Sequence, residues 1–201
     1  MGTLITLILV GVLAAGLLIY DKKRLSTHEI ALIATLGAFA GVSRIPFAAL
    51  PNIQPTTFLV IVSGIVLGPL PGFMVGAIAA IVSNSFLGHG PFTIWQMIAW
   101  GLAGGVSGVI YHNKKTPPRL LLAVYCFAWG FLFDYIMNAW HYLNFVFPHT
   151  VTTFLAVYSA SFFHDLAHAT SNAAFSIVFG KDLFVILKRY AARLSGVTYE
   201  E

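Results

Sequence analysis

Asp134, Asn138 and His141 follow one another at spacings of four and three, which puts all three on one face of a helix. Further along, His164, His168 and Asn172 repeat at i, i+4 and i+8, with Asp165 beside them. Both sets stand in strongly apolar sequence, where ionisable groups are costly and mark functional sites. Three chemistries fit them. Two histidines four apart can share a metal ion, with Asp134 or Asp165 completing the shell. No HExxH motif supports that reading, and the single Cys126 excludes an intramolecular disulfide and any multi-cysteine site. Asp134 and Asp165 could relay protons in an ion-coupled carrier. The polar residues could also line an organic-ligand pocket among Trp95, Trp100, Trp140, Tyr142, Tyr158, Phe162 and Phe163. Against these stand hydrogen bonding across a helix bundle and, for the aromatics, an interfacial belt.

A second polar group lies in the run 73–108. Two apolar, Gly/Ala-rich spans flank the hinge 88–91, and Ser83, Asn84, Gln96 and Trp100 sit where the spans approach it. A third lies in residues 44–57, where Pro46, Pro51 and Pro55 forbid a regular helix. Asn52 and Gln54 there offer both donors and acceptors.

The elements that must hold these residues are membrane spans. Only 9% of the 201 residues are charged and 58% are hydrophobic, against about 25% charged in a soluble domain. The mean hydropathy is +0.84. The chain is an integral membrane protein with no room for a nucleotide-hydrolysing or nucleic-acid-binding domain. Apolar spans fall at 4–20, 30–42, 57–68, 73–87, 94–111, 120–143 and 151–179. The Gly-Pro-rich segment 68–72 reads as a tight turn between two of them. The first span reads as a retained anchor, because the basic residues 22–24 follow it and none precedes it.

If every span crosses, ten of the eleven basic residues fall on one side, which the positive-inside rule makes cytoplasmic, together with the C-terminus. Arg44 alone lands opposite, at the outer end of the second span. The outer loops 44–57, 88–91 and 144–150 then cap the bundle. Residues 181–193 alternate apolar and basic side chains, as an amphipathic helix on the inner surface does; a fraying span end fits the same pattern. Small residues recur at four-residue spacing, including Gly64, Gly68, Gly72, Gly76, Gly101, Gly104, Gly105 and Gly108, and let helix backbones approach closely. In the second span, Ala34 and Ala38 form a small-residue face suited to docking another membrane subunit.

From Ser26 to Arg193 the chain resembles the substrate-binding S components of energy-coupling factor (ECF) transporters. The resemblance is carried by the Ala34–Ala38 face, the loop with Ile53-Gln54-Pro55, the central run 67–108, the segment 134–138 and the segment 164–168. It implies an all-α, six-helix membrane bundle, here with one additional N-terminal transmembrane helix. It divides the chain into an anchor and basic turn (1–25), a substrate-binding membrane domain (26–182) and a cytoplasmic tail (183–201). Such a protein is no enzyme and needs no cofactor or metal. It captures a vitamin at the outer face of a bacterial cell membrane and works with a membrane T component and two ATPases.

The resemblance assigns docking to Ala34 and Ala38, and gating to the loop with Pro46, Pro51 and Pro55. The ligand is then expected against Asn52, Gln54, Asn84, Gln96, Trp100, Asn138, His141 and His164. The central run looks most like the branch associated with cobalamin or its benzimidazole precursor. The competing expectations are a stand-alone ion-coupled carrier using Asp134 and Asp165, and an intramembrane metal-dependent enzyme using His164 and His168.

Overall fold

A computed structural model describes residues 2–21, 26–112, 114 and 116–194. The basic turn 22–25, Lys115 and the terminal residues 195–201 lie outside the described residues. The described chain is helical throughout its regular structure: α1 (Gly2–Asp21), α2 (Thr27–Val42), α3 (Thr56–Leu67), α4 (Pro69–Leu87), α5 (Phe92–Tyr111), α6 (Arg119–Phe145) and α7 (Val151–Leu194). A single 3-10 turn, Ile45–Phe47, interrupts the proline-rich loop between α2 and α3. Five segments are long and apolar enough to cross a membrane, whereas α3 is shorter.

The short α3 is the centre of the bundle. Every residue from Thr56 to Ile65 is buried, against α4, α5 and α7. Its 12 residues rise only about 18 Å at 1.5 Å each, short of the roughly 30 Å hydrocarbon core. Residues 44–55 lead from α2 into α3: Pro46, Ala48, Ala49, Leu50 and Pro51 are exposed, while Gln54 and Pro55 are buried against the bundle.

Close packing around α3 depends on three glycines. A Cβ on Gly72 of α4 would sit 2.5 Å from the Gly64 Cα of α3 and 2.7 Å from the Gly104 carbonyl oxygen of α5. A Cβ on Gly64 or Gly104 would strike the facing backbone in turn. The three helices touch backbone to backbone there, as small-residue spacing permits.

Two sequence expectations are corrected. Segment 68–72 is not a turn. Gly68 alone reverses the chain, at φ +100°, and α4 starts at Pro69. Pro69 and Pro71 fall in the first helical turn, whose N–H groups have no intrahelical partner, so prolines cost nothing there. Nor is there a break near residue 182. α7 runs unbroken through 181–193, and Phe184 and Leu187 belong to the central hydrophobic core. At 44 residues it is about 66 Å long and overshoots any bilayer core.

α2 starts with a capping box: the Glu29 N–H donates to the Ser26 Oγ at 3.2 Å, and the Ser26 N–H donates to the Glu29 carboxylate at 2.9 Å. α2 buries Ile33, Gly37, Ala40 and Gly41 and packs on α4. Ala34 is left exposed and Ala38 half-buried. The additional helix α1 rests on α5 and α6, where the Trp95 indole N–H donates to Thr6 Oγ1 at 3.1 Å.

Candidate functional site: a polar ring beneath the proline-rich loop

Arg44 leaves the end of α2 and turns into the bundle. Its Nε donates to Gln54 Oε1, and its Nη1 donates to Ser83 Oγ at 2.9 Å and Asn84 Oδ1 at 3.4 Å. The guanidinium carbon stands 5.1 Å from the centre of the Trp100 ring, in cation–π contact. Trp100 is fully buried, and its ring also stacks on Phe133 at 4.6 Å. Both faces of the indole are thus taken. Trp100 is the platform for Arg44 and not a surface left open for stacking.

Asn52 supplies the second anchor of the loop. Its backbone is left-handed, φ 55°, a conformation that asparagine tolerates better than most side chains. That conformation aims its amide across to α6 and α7. Nδ2 donates to both oxygens of Asp134 at 3.1 Å and to the His164 carbonyl at 3.2 Å. Gln54 Nε2 donates to Asn52 Oδ1 at 3.3 Å, joining the two anchors.

Beneath the loop the polar chain continues inward. Asp134 Oδ2 lies 2.9 Å from His168 Nδ1, His168 Nε2 lies 3.0 Å from Thr57 Oγ1, and the Trp100 Nε1–H donates to that same hydroxyl at 3.0 Å. Trp can only donate, so Thr57 accepts from it and turns its own proton to His168 Nε2. The His168 Nδ1–H then donates to the Asp134 carboxylate. The buried polar side chains of Asp134, His168, Thr57 and Trp100 are all paired with one another, as burial of polar groups requires. Seven side chains therefore close a ring: Arg44, Gln54, Asn52, Asp134, His168, Thr57 and Trp100.

One branch leaves it through Asn84, and a separate polar group lies between α6 and α7. The Asn84 Nδ2 donates to Gln96 Oε1 at 2.7 Å and to Thr93 Oγ1 at 2.9 Å, which unites the polar residues on either side of the 88–91 hinge. Asn138 Nδ2 donates to Ser161 Oγ at 2.8 Å and Asp165 Oδ2 at 3.0 Å. Next to the ring, Asn172 Oδ1 accepts the Phe58 N–H at 2.9 Å and pins the start of α3 to α7.

The network brings together Asn52, Gln54, Asn84, Gln96 and Trp100, and leaves Asn138 in a separate group with Ser161 and Asp165. It does not take in the side chains of His141 and His164. His141 is exposed and stacks on Phe145, and His164 is exposed and contributes only its carbonyl. Among the expected pocket aromatics, Phe162 and Phe163 are also exposed. His168 replaces His164 as the buried imidazole. Both its ring nitrogens are within hydrogen-bond distance of protein groups; among the described residues no three His, Cys, Asp or Glu side chains gather as a metal site does.

Arg44 is the residue that sequence reasoning missed. The signal for it was its isolation: one basic residue on the side opposite the other ten, within a loop of three prolines. All its protein partners among the described residues are neutral.

The fold is that of an all-α membrane protein, and the ring is a polar network beneath its proline-rich loop. The sequence profile of the ECF-type riboflavin transporter S component family matches residues 24–189, nearly the whole chain after α1. The chain belongs to that family and is a substrate-binding subunit of an ECF transporter. No curated protein and no solved structure matches it significantly.

Proposed function

We propose that this chain captures riboflavin, or a closely similar flat heteroaromatic vitamin, beneath residues 44–55. The observation that carries the proposal is Arg44. It is held on Trp100 by cation–π contact and tied to Gln54, Ser83 and Asn84, while its Nη2 has no protein partner among the described residues. A fixed cation surrounded by amides suits a flat ring whose edge alternates carbonyl acceptors with an N–H donor. The Arg44 Nη2 group would donate to a ring carbonyl, and the Gln54, Asn84 and Gln96 amides can each give or accept. Burial in an apolar bundle strengthens every such bond and excludes water.

The family's name favours riboflavin over cobalamin. The loop geometry supports the same choice. Residues 44–55 are tied to α4 through Arg44 and to α6 and α7 through Asn52, which suits a thin ligand better than a bulky corrinoid. Capture requires the loop to lift, which breaks the Asn52 contacts to Asp134 and His164 and frees the ring for ligand.

Delivery inward requires two ATPases and the T component, the latter docked on the exposed Ala34 and the half-buried Ala38. The packing of α1 on α5 and α6 supports this assignment, since the additional helix uses a different flank from the α2 face. The basic end, with the C-terminus, faces the cytoplasm of a bacterial cell. The test is a mass spectrum of small molecules extracted from the purified chain. A flavin is expected; a corrinoid or a benzimidazole recovered in its place would overturn the assignment.

A further inference from the structure

A cavity of about 370 Å³ opens at the opposite, basic end of the bundle, between the loop before α6 and the long α7. Thr116, Pro117 and Leu122 form one side and Ser176, Phe184 and Val185 the other, with Arg119, Lys181 and Lys188 at its edge. Among the described residues no carboxylate lines it. Lys188 donates to Thr116 Oγ1, and the Arg119 Nε donates to the Ile177 carbonyl at 2.8 Å, so two of the three cations are held in place by the walls. Arg119 keeps its two Nη groups, and Lys181 its ammonium, without a protein partner among the described residues.

We propose that this cavity binds the phosphate-bearing headgroup of an anionic phospholipid from the inner leaflet. Three cations around an apolar floor select a ligand that is anionic at one end and greasy at the other. Basic pockets between spans on the cytoplasmic side hold such headgroups. The volume corresponds to about a dozen waters at roughly 30 Å³ each, room for a phosphate with its glycerol and more than a bare ion fills. Val185 is half-exposed and Leu120 and Leu121 are exposed alongside, giving acyl chains an apolar path out of the site. The cavity shares no lining residue with the polar ring and stands independently of the vitamin assignment.

The test is native mass spectrometry of the full chain, delipidated in detergent and then given phosphatidylglycerol or phosphatidylcholine. Phosphatidylglycerol should be retained in preference, at one equivalent per chain. Lys181→Gln and Lys188→Gln should each lower its retention roughly fivefold, the effect of one basic residue near an anionic surface. Lys114→Gln, an exposed cation at the same end but outside the cavity, should leave it unchanged. Equal loss in all three variants would reduce the effect to diffuse charge and overturn the site. Equal retention of both lipids, or full displacement of phosphatidylglycerol by millimolar inorganic phosphate or glycerol phosphate, would overturn the lipid assignment.

Discussion

Replacing His168 by leucine tests the ring at its most buried point. Asp134 is only 5% exposed, and its carboxylate is stabilised by His168 on one side and Asn52 on the other. With His168→Leu the carboxylate keeps one neutral amide for a full charge. Taking a hydrogen-bond donor away from a buried charged group costs about 3 kcal/mol or more. At roughly 2–4 °C per kcal/mol for a chain of this size, the melting temperature should fall by on the order of 10 °C. Asp134→Val leaves the His168 N–H unpaired, at about 1–3 kcal/mol for a stranded group, while the Asn52 amide keeps the His164 carbonyl. The double variant removes the charge and its partner together and should be more stable than His168→Leu alone. The resulting coupling should reach about 2 kcal/mol, within the range measured for contacting residues. The assay is thermal unfolding of the four proteins in one detergent, followed by tryptophan fluorescence. Additive losses would mean that His168 and Asp134 do not act as a pair, and the inward half of the ring would have to be redrawn.

Other perturbations separate support, packing and docking. Trp100→Phe keeps the ring beneath Arg44 but loses the N–H to Thr57, so vitamin affinity should fall by no more than about tenfold, one net hydrogen bond of roughly 0.5–1.5 kcal/mol; a calorimetric titration measures it. Gly104→Ala forces a methyl group onto the Gly72 carbonyl. It should cost about 1–3 kcal/mol of stability by overpacking, read as a lower melting temperature, whereas Gly11→Ala, which meets nothing within 4 Å, should leave it unchanged. Ala34→Trp should abolish co-purification with a T component while vitamin binding by the chain alone persists; unchanged co-purification would remove Ala34 from the docking face.

The helical class and the order of the spans were legible in the hydropathy of the chain, because lipid leaves helices as the spanning structure for such sequences. The junction of Asn84 with Gln96 was legible too, since a short hinge returns two helices side by side. The phase of α7 was not. His164 and His168 share one stripe, and only the packing of α7 on α3 and α6 decides which imidazole enters the core. The start of α4 was missed because prolines read as breakers, although the first turn of a helix accepts them. Nothing in residues 181–193 signalled that Phe184 and Leu187 reach the core, because the same alternation describes a surface helix. Arg44 was visible as an anomaly of charge, but its role depends on Trp100, which is distant in sequence and adjacent only in the fold.

The most direct test of the account is an equilibrium titration of riboflavin into the purified chain in nanodiscs, without any partner subunit, followed by quenching of flavin fluorescence. The account predicts saturable binding at one vitamin per chain, weakened at least tenfold by Arg44→Met, where a charge-assisted hydrogen bond of about 1.5–3 kcal/mol is lost. Binding of equal strength in the variant, or no flavin binding alongside saturable cobalamin binding, would contradict it.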